Sequence, residues 1–249
     1  MSWSVFMPEN FTPSDFKELV KYYNQETVMG AGRIIRNEAL KADLLPPTER
    51  VKAIADIFEH FQNPSKETVL TPWRVVNMHL SDTLGGWCFY NEKFEENDDE
   101  YYKRNFEPRF VDHGESTAHT FSNADAQILE INSKSGLYPL YATYSIYRAK
   151  LGNRKESELL PGELVEIWDE AVKQVYVLCQ SPMAADITKR TLVGYRDVNT
   201  HIKSDDKLLI SLKKSVENTA KKIIKGSLFS YAFILAIDLI LSAIESLIG

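Results

Sequence analysis

The sequence is poor in cysteine and has no leader-like N-terminus. Its 249 residues include two cysteines, Cys88 and Cys179, which stand far apart in the chain. Two distant thiols predict neither a disulfide framework nor a zinc site, and they suit a reducing compartment. The first residues contain no basic stretch followed by an apolar run, so no secretory signal is predicted. We therefore expect a cytoplasmic protein.

The chain also lacks an excess of basic residues. It carries 29 lysines and arginines against 35 aspartates and glutamates, a formal net charge of −6. Proteins that bind nucleic acid by themselves are more often basic, so any contact with DNA would need a local basic patch or a partner. Hydrophobic residues make up 44% of the chain and aromatic residues 11%. That composition argues against a disordered protein and is enough for a sizeable core.

Residues 1–66 are predicted to form a helical N-terminal segment. Thr12, Pro13 and Asp15 have the spacing of an N-cap, a first-turn proline and a capping acid. A later helix is expected after two adjacent prolines, with Thr48 as its cap. Its apolar residues recur at helical spacing, which predicts one stripe packed on the core; they are Val51, Ile54, Ile57, Phe58 and Phe61.

Residues 67–226 are predicted to form an α/β domain. A helix is expected to begin with Thr71 as its cap and Pro72 at its first position. Residues 128–131 predict a strand that turns through a loop into a helix, and the apolar run 175–179 is typical of a buried parallel strand. The order strand, helix, helix, strand, helix predicts a doubly wound α/β sheet.

Residues 227–249 form an apolar C-terminal tail interrupted by Asp238. A short membrane-anchoring helix is one interpretation of this tail. An acid near its centre would cost about 2.5–3.5 kcal/mol on insertion scales, and the run is short for a span of ~20 residues. We favour a buried helix, so a membrane is not an expected partner.

Asp112, His113 and His119 are the only candidate group of metal ligands that the sequence suggests. Two histidines six residues apart with one acid match no specific ligand spacing, so we expect no metal site.

The segment QILEINSKSGLYPLY, residues 127–141, places an acid and a glycine where a predicted strand turns into a helix. In an open parallel sheet, ligands bind beyond the carboxyl ends of the strands. Glu130 could accept hydrogen bonds from an ammonium or from hydroxyl groups, and Gly136 allows a close backbone approach. Many such turns serve packing alone, so both interpretations stay open at this point.

A second motif, ahead of this turn, adds a family resemblance. Thr71-Pro72 with Val75-Val76 matches the T-P-x-x-V-V motif that precedes the first strand in adenine-N6 DNA methyltransferases of restriction–modification systems. The chain resembles the branch found in type I and type IIG enzymes, over roughly residues 45–200. The resemblance implies a Rossmann-like S-adenosylmethionine methyltransferase sheet behind the helical segment, with DNA as the partner.

In that family the first strand ends in an acid and a glycine turn that hold S-adenosylmethionine. The resemblance therefore implies a set of cofactor-binding residues in this chain: Thr71, Pro72, Glu130, Asn132, Ser133 and Gly136. The turn departs from the usual D/E-P-x-x-G-x-G, because Ile131 replaces the proline and Lys134 the first glycine. The second strand is followed by Gln180 where an acid normally binds the ribose. We therefore expect binding of S-adenosylmethionine to be weak or lost.

The catalytic N-P-P-Y-type loop of these enzymes has no counterpart in the chain. The sequences LPPT (45–48), NPSK (63–66) and SPMA (181–184) do not match it, so no catalytic residue is assigned. The expected function is that of an adenine-specific DNA methyltransferase-like protein, cut short before its catalytic loop, its sheet incomplete, and inactive alone. The alternative is a non-enzymatic interaction subunit or remnant that pairs with a separately encoded half.

Overall fold

The structure, a computed structural model, describes residues 11–61, 70–94, 107–212 and 214–215. By its contacts the chain divides into Met1–Ser204 and Asp205–Gly249. In the second unit residues 206–212 are helical. Residues 216–249, which include the whole apolar tail 227–249, lie outside the described residues.

The described part of the first unit begins with three helices: α1 (Pro13–Val20), α2 (Gln25–Ala42) and α3 (Pro47–Glu59). The predicted capping box of α1 is confirmed. The Thr12 hydroxyl accepts a hydrogen bond from the Asp15 N–H at 3.2 Å, and the Asp15 carboxylate accepts one from the Thr12 N–H at 2.8 Å. Two backbone N–H groups that the helix leaves free are satisfied in this way.

The expectation that Thr48 caps α3 is wrong. The N-cap is Pro46, in an extended conformation, and no side chain caps this helix. Thr48 lies inside α3, where its hydroxyl is 2.9 Å from the Tyr144 hydroxyl and donates to the Glu156 carboxylate at 2.8 Å. The Thr48 side chain therefore bonds to residues about a hundred positions later in the chain instead of capping the helix.

An eleven-residue helix and a small antiparallel pair of strands follow. They are α4 (Trp73–Thr83), β1 (Gly86–Cys88) and β2 (Arg109–Val111), with Gly86 paired to Val111. The one-turn helix α5 (Glu115–Thr117) then continues into a π-helical turn, Ala118–Ser122.

The main sheet has three parallel strands in the order β3, β4, β5: β3 (Ile128–Ser133), β4 (Val175–Cys179) and β5 (His201–Ser204). Between β3 and β4 lie α6 (Leu137–Leu151), a 3₁₀ turn (Glu156–Glu158) and α7 (Pro161–Val172); α8 (Pro182–Val193) precedes β5. The expectation that residues 128–131 and 175–179 are adjacent and parallel is confirmed. The chain has an α/β fold.

The core is centred on α6, which packs against α4, α7 and α8. Three of its tyrosines, Tyr141, Tyr144 and Tyr147, are fully buried, and their hydroxyls find partners, as buried polar groups must. The Tyr141 hydroxyl donates to the carbonyl of Gly85 at 2.8 Å, and the Tyr147 hydroxyl donates to the Glu156 carboxylate at 3.0 Å.

A buried arginine fastens α3 to the end of α8. The Arg50 guanidinium donates to the carbonyls of Thr191 at 2.9 Å, Leu192 at 3.2 Å and Arg190 at 3.2 Å, and it pairs with the Asp43 carboxylate at 3.1 Å. The last carbonyls of a helix have no intrahelical partner, so the guanidinium of one arginine supplies donors to three carbonyls at the end of α8.

Candidate functional site

A cavity of about 780 Å³ opens where α3, α4 and α6 meet. Its volume is within the range of small-molecule sites. The lining residues come from the end of α3, the approach to α4, the segment after β1 and the start of α6. They are Phe58, Glu59, Phe61, Leu70, Thr71, Pro72, Arg74, Tyr90, Phe94, Ser135 and Leu137.

Thr71 and Pro72 reach this cavity because α4 starts later than expected. Pro72, with φ −61° and ψ 149°, is the extended N-cap residue, and Trp73 is the first residue of the helix. The prediction that Thr71 caps α4 is therefore wrong. The prediction that Thr71 and Pro72 lie near the loop 132–136 is confirmed, since they share the cavity wall with Ser135.

The turn after β3 is held by contacts to α8. The Ser133 and Thr188 hydroxyls are 3.1 Å apart, and the Thr191 hydroxyl donates to the Ser135 carbonyl at 2.6 Å. Gly136 has φ +82°, and a Cβ there would lie 3.0 Å from the Thr188 Cα. The close approach of α8 is thus a sufficient reason for a glycine at this position.

Gly136 is also the N-cap residue of α6, and no side chain caps that helix. The first N–H groups of a helix have no intrahelical partner, and the positive end of its dipole favours an anion. Ser135 and Leu137, on either side of the cap, both line the cavity. The start of α6 therefore offers the cavity donors suited to a carboxylate or a phosphate.

Glu130 is half-buried in β3 beside the core. It is paired with Val177, a core residue, and no described residue forms a hydrogen bond or ion pair with its carboxyl group. Burial raises the pKa of Glu130 to about 7. Burial also raises the pKa of Tyr138, and the charge of Glu130 adds to that effect. The Tyr138 hydroxyl lies 3.3 Å from Nδ1 of His79.

The six residues that the resemblance assigned to the cofactor separate into two groups. Thr71 and Pro72 line the cavity, whereas the other four lie in β3 and its turn, outside the described lining; they are Glu130, Asn132, Ser133 and Gly136. Asn132 has φ +70°, and its buried Oδ1 has no hydrogen-bond partner among the described residues. Their role in cofactor binding stays a prediction.

The aromatic wall of the cavity was not predicted. Phe58 and Phe61 were assigned to a core-packing stripe, but Phe61 is 42% exposed and both line the cavity. Tyr90 and Phe94 join them from the segment after β1. Helical spacing gave the only sequence signal here, and it does not distinguish a core face from a pocket wall.

The segment after β4 does not supply a ribose-binding group to the cavity. Gln180 is exposed, and the Ser181 hydroxyl accepts the N–H of Ala184 at 3.2 Å as the N-cap of α8. Neither residue is among those that line the cavity. The Ser-Pro of the SPMA sequence therefore starts a helix.

The described residues contain no group of three or more His, Cys, Asp or Glu side chains that could hold a metal ion. His113 contacts the Ser81 carbonyl through Nε2 at 2.8 Å. None of the described helices has the length and apolar character needed to cross a membrane.

Comparisons of the chain with protein-family models, with curated proteins and with solved structures give no match. The resemblance to DNA methyltransferases therefore stays a prediction carried by two short motifs and by the cavity wall that they share.

Proposed function

We propose that this chain is the S-adenosylmethionine-binding part of an adenine-N6 DNA methyltransferase and that the ligand occupies the cavity. One observation carries the proposal. The Thr-Pro motif and the turn after β3 stand about sixty residues apart in sequence, and Thr71, Pro72 and Ser135 line the same wall. The resemblance implies that association, because it assigns residues of both segments to one cofactor.

The chemistry of the lining supports this ligand. S-adenosylmethionine has an adenine ring, a sulfonium, an ammonium and a carboxylate. Aromatic side chains in the cavity can stack on the base or contact the sulfonium. Arg74 and the start of α6 suit the carboxylate, and hydroxyls of Thr71 and Ser135 can accept from the ammonium.

The sheet also supports the proposal. Three parallel strands in sequence order, with helices between them, are what one half of a Rossmann-like sheet contains. The cavity adjoins the turn that leaves the carboxyl end of β3, which is where open α/β sheets bind their ligands.

We expect this binding to be weak, because no carboxylate follows β4 to hold the ribose. Loss of one charged hydrogen bond costs about 1.5–3 kcal/mol, roughly a ten- to hundredfold loss of affinity.

Calorimetry on the full chain tests the site. Thr71→Val should weaken binding about three- to tenfold. Thr83→Val, which removes a hydroxyl at the far end of α4, is the matched control. Equal affinities in all three proteins would place the ligand elsewhere.

The chain alone is not expected to methylate DNA. Methyl transfer to an adenine amino group needs a base that is flipped out of the duplex. It also needs a polar side chain and a carbonyl group that hydrogen-bond to the amino nitrogen, and an aromatic ring that stacks on the base. The N-P-P-Y-type loop supplies these groups, and the nearest candidate, Ser181-Pro182, begins α8. Purified chain should transfer no labelled methyl groups to mixed-sequence DNA. Transfer by the chain alone would contradict the proposal, whereas transfer only with an added N-P-P-Y-bearing segment would support it.

The second candidate is an interaction subunit that pairs with a separately encoded half, and the edge of β3 favours it. Within the described residues β3 pairs with β4 alone, and its other edge makes no hydrogen bond. Five of its six residues are half-buried and Ser133 is buried; the strand carries one charged residue, Glu130, and contains neither the lysine nor the proline that often protects an edge strand. Unpaired backbone groups on such a strand are a template for another strand.

Light scattering tests this candidate with the chain and the N-P-P-Y-bearing polypeptide mixed. A one-to-one complex is expected. Leu129→Lys, which puts a cation on the strand, should abolish it, whereas Leu160→Lys, at a leucine that is 71% exposed, should not. A complex unaffected by Leu129→Lys would rule out the β3 edge.

A further inference from the structure

We propose that the cavity selects its ligand by positive charge, taking an onium group, a sulfonium or a quaternary ammonium, in preference to the uncharged counterpart. The proposal deepens the function proposed above and rests on it for the identity of the natural ligand. It predicts that the methylated cofactor binds more tightly than the demethylated product.

Aromatic side chains supply the main argument. Four of the described lining residues are aromatic, and they come from two separate parts of the chain: Phe58, Phe61, Tyr90 and Phe94. The rings of Phe58 and Phe61 are 5.9 Å apart at an angle of 42°. The face of an aromatic ring is electrically negative, so a cation in contact with several faces is stabilised, most strongly when it is desolvated.

Among the lining residues that the structure describes, the charged ones are one acid and one base. Glu59 adds negative charge on the side of the phenylalanines, and Arg74 stands in the first turn of α4. A simple cation would be repelled by Arg74, so the cavity suits a ligand that carries an onium group and a carboxylate together. The start of α6 favours the same carboxylate.

The backbone of Phe94 is a second, independent observation. Phe94 has φ +57°, a left-handed conformation that a bulky side chain rarely adopts. Its N–H donates to the Asn91 carbonyl at 3.0 Å, and the Asn91 side chain accepts the N–H of Lys93 at 2.9 Å. Strained positions of this kind persist where the surroundings fix them, and they occur most often at ligand sites. A phenylalanine held in that conformation on the cavity wall supports a role for its ring in contacting the ligand.

The experiment compares ligands that differ by one methyl group and one charge. Calorimetry on the full chain measures S-adenosylmethionine against S-adenosylhomocysteine. Ligand-observed NMR measures S-methylmethionine against methionine, which removes adenosine from the comparison. We expect the charged member of each pair to bind about tenfold more tightly.

Ring-specific variants test the cause of this preference. Phe94→Leu keeps an apolar side chain and removes the ring, so the preference should fall to about twofold or less. Phe58→Leu should lower it as well and serves if Phe94→Leu does not fold. Phe110→Leu, at a phenylalanine that is outside the cavity and 49% exposed, should leave it unchanged.

The outcomes separate this inference from the proposed function. Equal binding of both nucleosides, unchanged in Phe94→Leu, would overturn charge selection and leave the proposed function standing. Selective binding of S-methylmethionine without binding of either nucleoside would support charge selection and contradict the proposed function. No binding of any of the four compounds would overturn both.

Discussion

The helices α2 and α6 are similar in length and opposite in burial. α2 has 18 residues, of which Ala42 alone is buried, whereas eleven of the 15 residues of α6 are buried. Two leucines show the contrast: Leu40 in α2 is 40% exposed, and Leu140 in α6 is 0% exposed.

The contrast teaches that helical patterning does not decide how deeply a helix is buried. α2 has apolar residues at helical spacing, as a core-packing helix would. It is exposed because, among the described elements, its main neighbour is α3. α6 is surrounded by α4, α7, α8 and the strands, so nearly every side chain meets another element.

The largest expected effect comes from truncating the two leucines. Leu140→Ala should lower the free energy of unfolding by about 3–5 kcal/mol, because it leaves a cavity in a fully packed region. Leu40→Ala should cost less than about 1 kcal/mol, since the site is already open to water. Urea unfolding of both variants measures the difference. Similar losses would mean that α2 is covered in solution.

Removal of single cations should show the same contrast at a smaller scale. Arg50→Met should cost about 2–4 kcal/mol, because the carbonyls of Arg190, Thr191 and Leu192 and the Asp43 carboxylate each lose a buried charged donor. Lys41→Met breaks an exposed pair with Glu38 in α2 and should change stability by less than about 0.5 kcal/mol. Thermal unfolding of both variants measures the difference. An Arg50→Met protein as stable as the parent chain would contradict the role assigned to the Arg50 guanidinium.

The pH dependence of stability should distinguish Glu130 from an exposed glutamate of α2. The pKa of Glu130 in the folded chain is about 7, above its ordinary value of 4.5. Between those values the folded state holds a proton that the unfolded state has lost, so stability falls as pH rises through this window. At pH 8 Glu130→Gln should be about 1–3 kcal/mol more stable than the parent chain, and the gain should vanish near pH 4.

Denaturant unfolding from pH 4 to pH 8 measures that gain. Glu26→Gln, at an exposed position in α2, is the control and should stay within about 0.5 kcal/mol of the parent throughout. A gain for Glu130→Gln that does not depend on pH would mean that its carboxyl group keeps one charge state over this range.

Glycine-to-alanine changes should differ in sign between the two regions. Gly136→Ala should cost about 1–2 kcal/mol or more, because φ is +82° and α8 leaves no room for a Cβ. Gly30→Ala lies in an open part of α2, where a Cβ would meet nothing within 4 Å, and should add about 0.5–1 kcal/mol of stability. Melting temperatures report both changes, and a stabilising Gly136→Ala would show that the turn can move away from α8.

The sequence by itself determined the features that depend on near neighbours along the chain. The capping box at Thr12 and Asp15 needs residues three apart, and the run 175–179 needs only its own apolar side chains to mark a buried parallel strand. The strand at 128–131 and the α/β class were likewise predicted from local sequence patterns.

Tertiary structure decided what depends on distant partners. β5, His201–Ser204, is short and polar, and its pairing with β4 makes it a strand. Thr48 does not cap α3 as expected, because Tyr144 and Glu156, about a hundred residues later, bind its hydroxyl. The aromatic wall of the cavity joins α3 to the segment after β1. Such contacts are set by packing between elements, for which local sequence patterns have no signal.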